Sequence, residues 1–315
     1  MISFGYCTHE QYLQAGERRR RSGARVAYSL LDVGDDPSEE SIRAFEDISF
    51  TMRSANGTFR TTFRQRFQDV DAGAMKWMET FFDTDSAIEI QDRAVSSGLT
   101  SWEWADSVFR RFGEARFEAS DILAELIELS RGSETYILEP GGLPVQYVRP
   151  PFAVPLAHQD ARRYPVNRLV ALWAKRRFAK LDLGGHWMEA AQERGWRLRR
   201  ISCVHPRVRE LSRRNANFQF RVRNVFDEAG GACDVLRTMN IFNRSYFPAG
   251  ELARGARAAF ESLRPGGIWI VGRTWEDDLS NHVSFLRRSE RGWELLGRIG
   301  TGWEMEGAAL GGVWE

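Results

Sequence analysis

The chain has 315 residues, with 44 Lys and Arg against 43 Asp and Glu and only three cysteines. So even a balance argues against a dedicated nucleic-acid binder, which usually carries a basic excess. Cys7, Cys203 and Cys233 have no paired spacing, so neither a disulfide framework nor a structural metal site is expected, and a cytoplasmic setting fits. A hydrophobic fraction of 43% is that of an ordinary globular chain. No uninterrupted apolar stretch is long enough to span a bilayer. "MISFGYCTHEQ" lacks the basic start and apolar core of a signal peptide.

Residues 1–85 read as a mainly helical, polar N-terminal cap. Ser38, followed by Glu39 and Glu40, predicts a helix start. "ERRRRSGAR" (17–25) is a basic run that reads more readily as a solvated face than as a nucleic-acid or membrane contact. "TTFRQRFQDVDAGAMKWMETFF" has the spacing of a packed amphipathic helix. From 86 to 315 the pattern is α/β. Ile88 and Ile90 give a strand, Trp102, Ala105, Val108 and Phe109 a helix face, "ARFEASDI" a second strand, and "ILAELIELS" the beginning of another helix. That order points to a parallel sheet. Residues 131–200 interrupt it as an insertion. "TYILEPGGLPVQYV" reads as a hairpin around Gly141–Gly142, and "RPPFAVPL" cannot be a central strand because its prolines lack donors. "PVNRLVALWAKRRFAKL" is a basic helix opening on Pro165. An ordinary surface helix with one buried face is the simpler reading, and a peripheral membrane contact the sharper one. Strands then resume at "RRISCVHP", "FQFRVRNVF", "CDVLRTMNIF" and "IWIVGRT", with helices at "PRVRELSRRN" and "AGELARGARAAFESLRPGG".

Chemistry is concentrated at the ends of these strands. In "DRAVSSG", Asp92, Ala94, Ser96 and Gly98 fall on an acid-x-Gly-x-Gly-x-Gly spacing with Ala and Ser in place of two glycines. A pyrophosphate ligand, which needs very close backbone approach, would be hurt by those changes. S-adenosylmethionine (SAM) has no phosphate, and its loop meets a looser demand. An ordinary strand-to-helix turn is the alternative. Asp121 ends the second strand, where a carboxylate can accept ribose hydroxyls or cap a helix. Asn224 ends "FQFRVRN", where it can read an adenine edge or shape a turn.

"DVLRTMN" (234–240), "SYF" and "LRPGGIWIVG" resemble the class I SAM-dependent methyltransferases, and within them most the chemotaxis-receptor (CheR-type) carboxyl methyltransferases. That family has an Asp, an Asn six residues on, a Tyr-Phe pair, Leu-x-Pro-Gly-Gly and a Gly-ended strand. "SSG" and "ASDI" are similar to its first loop and second strand end. The match covers about residues 87–125 and 218–276, while 131–200 does not match. The resemblance implies a Rossmann-like methyltransferase sheet with SAM as cofactor. Asp121 would hold the ribose, Asn224 would sit near the adenine, and Ser96–Gly98 would line the methionine part. Asn240 would lie beside the sulfonium, and Tyr246, displaced by Arg244 and Ser245, would be the active-site tyrosine. "TTFRQ" is similar to a Phe-Phe-Arg segment, which would make Arg64 a partner of the SAM carboxylate. Glu103 would stand in for the family's acidic residue after the first loop.

These residues imply methyl transfer, O- or N-, to a small-molecule acceptor, with no nucleic acid involved. A CheR-like protein carboxyl methyltransferase is the first alternative, because the hairpin at 135–148 is either a substitute receptor-binding element or a small-molecule lid. A non-catalytic SAM sensor or scaffold is the alternative of another class. A carboxylate acceptor needs no base, and other acceptors would call on His158 or His282. Glu139, Gln146, Tyr147 and His282 are candidate substrate contacts.

Overall fold

The computed structural model describes residues 4–14, 25–55, 60–156, 164–227 and 233–312. The basic run at 17–24 and His158 lie outside them. In chain order the elements are β1 (Gly5–Tyr6), α1 (His9–Gln14), β2 (Arg25–Val26), a 3-10 turn (Tyr28–Leu31), α2 (Glu39–Thr51), α3 (Gln68–Phe81), β3 (Glu89–Arg93), α4 (Leu99–Arg111) and β4 (Arg116–Asp121). Next come β5 (Glu125–Arg131), β6 (Glu134–Leu138), β7 (Pro144–Arg149), β8 (Phe152–Pro155), α5 (Pro165–Ala179), α6 (Trp187–Glu193) and β9 (Arg197–Ser202). The chain finishes with α7 (Pro206–Arg214), β10 (Phe218–Val222), β11 (Cys233–Met239), α8 (Ala249–Ser262), β12 (Leu263–Thr274), β13 (Asn281–Ser289), β14 (Gly292–Ile299) and α9 (Glu306–Gly311). These elements form two compact units, residues 63–122 with 207–315 and residues 1–62 with 123–206.

The first of these units is the expected α/β sheet, ordered β10-β4-β3-β11-β12-β13-β14. Its first five strands are parallel, and β13 runs antiparallel to β12 and β14. By order of appearance the parallel strands stand 3-2-1-4-5, a doubly wound sheet whose order reverses between β3 and β11. The strands are apolar because both faces are covered. Val235, Leu236, Ile268, Trp269, Ile270 and Val271 are all completely buried. The helix α4 buries Ser101, Trp104, Ala105 and Val108, so Trp104, and not Trp102, lies at the middle of its packed face. Antiparallel β13 comes so close to β12 that a Cβ on Gly272 would stand 2.1 Å from the His282 carbonyl oxygen. The strands β13 and β14 had no counterpart in the sequence reading.

The other unit is built on an antiparallel sheet ordered β8-β7-β6-β5-β9. Here "ILAELIELS" is a strand, not the expected helix. Its residues are good helix formers, but alternate ones feed opposite cores. Leu126 packs with Ile137, Ile201, Phe45 and Ile48, whereas Ile127 and Leu129 pack with Tyr136, Tyr147, Ala171 and Trp187. Burial on both faces overrides propensity. "RRISCVHP" likewise pairs with β5 in this sheet and does not join the parallel one. The hairpin β6–β7 is present around Gly141–Gly142. It occupies the middle of the sheet, which makes it core rather than a lid. Of the three prolines in this stretch, Pro150 and Pro151 lie in the turn before β8 and Pro155 stands on the edge strand itself, as its missing donor requires.

The domain limits therefore move. The chain leaves the parallel sheet after Ile122 and returns at Arg207, so the interruption runs over 123–206 and not 131–200. The N-terminal boundary falls at 62 and not 85, because α3 packs on the parallel sheet, with Gly73 against the Phe285 ring. The expected helix "TTFRQRFQ…" begins only at Gln68, after Gln65 turns through a left-handed φ of 59°. Ser38 caps α2 as expected, its hydroxyl accepting from the Ser41 amide at 3.2 Å.

Candidate active site

In doubly wound sheets ligands sit beyond the carboxyl ends of the strands, at the reversal of strand order. Here that place is the loop after β3. Ala94, Ser96 and Gly98 all adopt left-handed backbone, with φ of 61°, 59° and 80°. These are the three positions of the glycine spacing, so the loop keeps the glycine conformation although two of the glycines are gone. A non-glycine residue there costs of order 1–2 kcal/mol, which the surrounding structure must offset. Part of the offset is visible. The Ser96 amide donates to Asp121 Oδ2 at 2.7 Å, the Val95 amide to the Ser120 carbonyl at 3.2 Å, and the Gly98 amide to the Val95 carbonyl at 3.0 Å. Gly98 retains glycine for a second reason: a Cβ would press on Val208 at 3.2 Å and Phe220 at 3.3 Å. The buried hydroxyls of Ser97 and Ser120 find no hydrogen-bond partner among the described residues.

At the next parallel strand ends, Asn240 turns through a φ of 62°. Its amide donates to Gly272 and its Oδ1 accepts from the Thr274 amide at 2.7 Å, joining the ends of β11 and β12. This leaves the Nδ2 group as a donor. Tyr246 follows on the turn 243–247, with its side chain 40% exposed. Arg66 reaches the same end of β12, its Nε donating to Thr274 Oγ1 at 3.1 Å, with Phe63 and Phe67 against the guanidinium. Burial lowers its pKa to about 10, against the opposing pull of Tyr246 and Glu276.

A buried charge cluster lies beneath the loop. Arg237, in the middle of β11, is completely buried. It donates through Nε to Asp92 Oδ1 at 3.0 Å, through Nη2 to Asp92 Oδ2, and through Nη1 to Asp71. The Ser101 hydroxyl donates to Asp92 Oδ2 at 2.6 Å, and the Trp104 ring covers the guanidinium at 4.3 Å. Burial works against the arginine charge, but Asp92 and Asp71 outweigh it and hold its pKa above the ordinary value. One cation thus faces two carboxylates. Burial pushes the Asp71 pKa up to about 7; Arg237 opposes the rise, and Asp92, Glu103 and Asp69 add to it.

The expected site residues therefore divide. Ala94, Ser96, Gly98, Asp121 and Asn240 gather at the carboxyl ends of β3, β4 and β11, on one edge of the sheet. Asp92 belongs to the charge cluster, with both oxygens engaged by Arg237 and Ser101. Asn224 is exposed and forms its own turn, Oδ1 accepting from the Phe226 amide and its amide donating to Asp227. Arg64 is exposed, and the arginine at the strand ends is Arg66. Glu103 accepts from the Gln65 amide at 2.9 and 3.0 Å, tying down the turn before α3. His282 is held in place by its neighbours. Its Nδ1 accepts from the Thr301 amide at 2.9 Å, Nε2 is hydrogen-bonded to the Ser280 hydroxyl at 3.0 Å, and Trp275 stacks on the ring. Gln146 and Tyr147 are core residues of the antiparallel sheet. Gln146 accepts from the Tyr28 amide and donates to the Val26 carbonyl; the Tyr147 hydroxyl faces Glu134, and burial raises its pKa to about 12. Glu139 accepts from the Ala55 amide. Adjacent strand residues such as 146 and 147 point to opposite faces, and here both faces are covered.

Arg237, Asp71 and Arg66 were absent from the sequence reading. A signal existed for the first: a cation in the interior of the strand "CDVLRTM", next to Val235 and Leu236, requires a buried acid. Nothing local in the sequence distinguishes Arg66 from Arg64.

No protein-family model matches the chain, and no curated protein does. Among solved structures it is similar to an O-methyltransferase family protein from Burkholderia thailandensis, at 14% identity over 76% of this chain and 43% of that one, with a TM-score of 0.32. It is similar to a candidate spermidine synthase from Corynebacterium glutamicum at 11% identity over 67% of this chain and 48% of that one, TM-score 0.31. It is also similar to a candidate protein-L-isoaspartate O-methyltransferase from Plasmodium falciparum, in complex with S-adenosyl-L-homocysteine, at 10% identity over 74% of this chain and 72% of that one, TM-score 0.31. The chain spans less than half the length of the first two. Superpositions this loose transfer no function to it.

Proposed function

We propose that the chain is a SAM-dependent methyltransferase acting on a small-molecule acceptor. One observation carries this reading: three alternate left-handed residues at the switch point of a doubly wound sheet, with the Ser96 amide held by Asp121 from the next strand end. The residues present fit the cofactor in part. The Ser96–Gly98 backbone would line its methionine part, Asp121 would accept from the ribose hydroxyls, and the orphaned Ser97 and Ser120 hydroxyls supply polar capacity beside them. Asp92 and Asn224 do not fit, being spent on Arg237 and on a local turn.

SAM supplies a methyl group already activated on its sulfonium. The chain then has to hold donor and acceptor in line and keep water away. Asn240 Nδ2 would orient the acceptor or the SAM amino group. It cannot take a proton, since an amide is not basic at neutral pH. The Tyr246 hydroxyl would donate to a developing or departing charge. His282 is excluded as a base by its two committed nitrogens, so an acceptor that is already anionic suits the site best. The segment 131–200, unlike a receptor-binding module in sequence, supports a small acceptor over a receptor protein.

Calorimetry with SAM and S-adenosylhomocysteine, followed by transfer of labelled methyl to a panel of carboxylate, phenol and amine acceptors, tests the proposal. Binding in the micromolar range is expected. Asp121→Ala should weaken it roughly tenfold to a hundredfold, the worth of charge-assisted hydrogen bonds. No binding by the native chain refutes the cofactor. Binding without turnover on any acceptor makes the chain a sensor, and methylation of protein carboxylates alone makes it CheR-like.

A further inference from the structure

We propose that the outward face of α5 docks on an anionic lipid bilayer. The helix packs on the antiparallel sheet through Asn167, Ala171 and Ala174, all buried. A surface helix of this kind should turn polar side chains outward. Instead Leu169, Leu172 and Trp173 are 66%, 43% and 45% exposed. At 3.6 residues per turn they fall within about 100° of arc, centred opposite the Ala171–Ala174 stripe. The outermost row of the helix is therefore apolar over its first half, and Arg176 and Lys180 continue the same row.

The charges that the helix itself carries are all of one sign. Residues 165–180 contain no Asp or Glu. Arg177 is taken by Glu134, at 2.7 and 3.0 Å. Arg168, Lys175, Arg176 and Lys180 are exposed and have no acidic partner among the described residues. An apolar ridge flanked by unneutralised cations, with a tryptophan on it, is the pattern of a helix lying in a bilayer interface. Nucleic acid would use the cations but would have no use for exposed leucines. An acidic protein would need a groove to receive a convex ridge, whereas a lipid surface deforms around one. No helix among the described residues is long and apolar enough to cross a membrane, so the contact is peripheral.

Sedimentation of the full chain with phosphatidylcholine vesicles, with and without phosphatidylserine, tests this. At low salt the chain should sediment with the anionic vesicles only, and high salt should release it. Arg176→Gln with Lys180→Gln should weaken binding about thirtyfold, at about fivefold per cation. Leu169→Ser with Leu172→Ser should abolish it while the circular dichroism spectrum stays native; Trp173 is left in place because its ring also rests on Tyr147. Should this double variant misfold, the charge pair alone decides. Failure to bind anionic vesicles overturns the proposal and leaves an acidic protein as the class of partner to seek. Undiminished binding by the variants also overturns it, because the contact then lies elsewhere in the chain.

Discussion

The Arg237 cluster makes a quantitative prediction about pH. Arg237 is shared by Asp92, which takes it through two nitrogens, and by Asp71, which takes the third. Burial disfavours the ionised Asp71 carboxylate, and because Arg237 is shared with Asp92 its opposing pull does not cancel that cost; Asp92, Glu103 and Asp69 add to it. Together these lift the Asp71 pKa from 3.8 to about 7. Between those values the folded state binds more protons than the unfolded chain, so stability falls as pH rises, and above about pH 7 the contribution is constant. Three units at about 1.4 kcal/mol each set a ceiling of about 4 kcal/mol; relaxation and water entry around the cluster reduce it, and about 2 kcal/mol is the expected difference. Asp71→Asn keeps an oxygen acceptor for Nη1 and removes the titration. Urea denaturation of native chain and variant at about pH 4.5, 6 and 7.5 gives the comparison, with linear extrapolation at each pH. The native chain should lose stability relative to Asp71→Asn as pH rises across that window. A constant difference refutes the shared-proton account. A difference of the opposite sign would mean that Asp71 is an ordinary ion-pair partner, ionised throughout.

Gly98→Ala should cost about 1–2 kcal/mol in a chemical melt, since it adds a Cβ at φ 80° against Val208 and Phe220. A neutral effect would show that the loop relaxes freely. Gln146→Leu strands the Tyr28 amide and the Val26 carbonyl, and should destabilise by about 2–4 kcal/mol with unchanged SAM affinity by calorimetry. Equal loss of affinity and stability would return Gln146 to the binding site. Asn240→Ala should lower turnover while the pH–rate profile keeps its shape, because an amide positions and does not titrate; a shifted profile would refute that role.

Local pattern alone determined a good deal here. The strands "FQFRVRN", "CDVLRTM" and "IWIVGRT", the Ser38 cap, the Gly141–Gly142 hairpin and the helix opening on Pro165 are written in spacing and turn chemistry, and short-range backbone sterics enforce them. The line of Ala94, Ser96 and Gly98 was legible for the same reason, since a left-handed loop leaves a trace even when glycine is replaced. Three things were decided only by tertiary contact. "ILAELIELS" is a strand because two opposed cores demand alternate burial, which no helix propensity scale contains. Gln146, Tyr147 and His282 look like functional groups in sequence, but packing encloses them and neighbouring backbone and side-chain groups engage their polar atoms. Asp92 is engaged in a buried ion pair because an arginine 145 residues further along the chain arrives beside it across β3 and β11. A charge buried in a sheet has to be neutralised by whatever strand lies next to it, and strand neighbours are fixed by topology rather than by sequence distance.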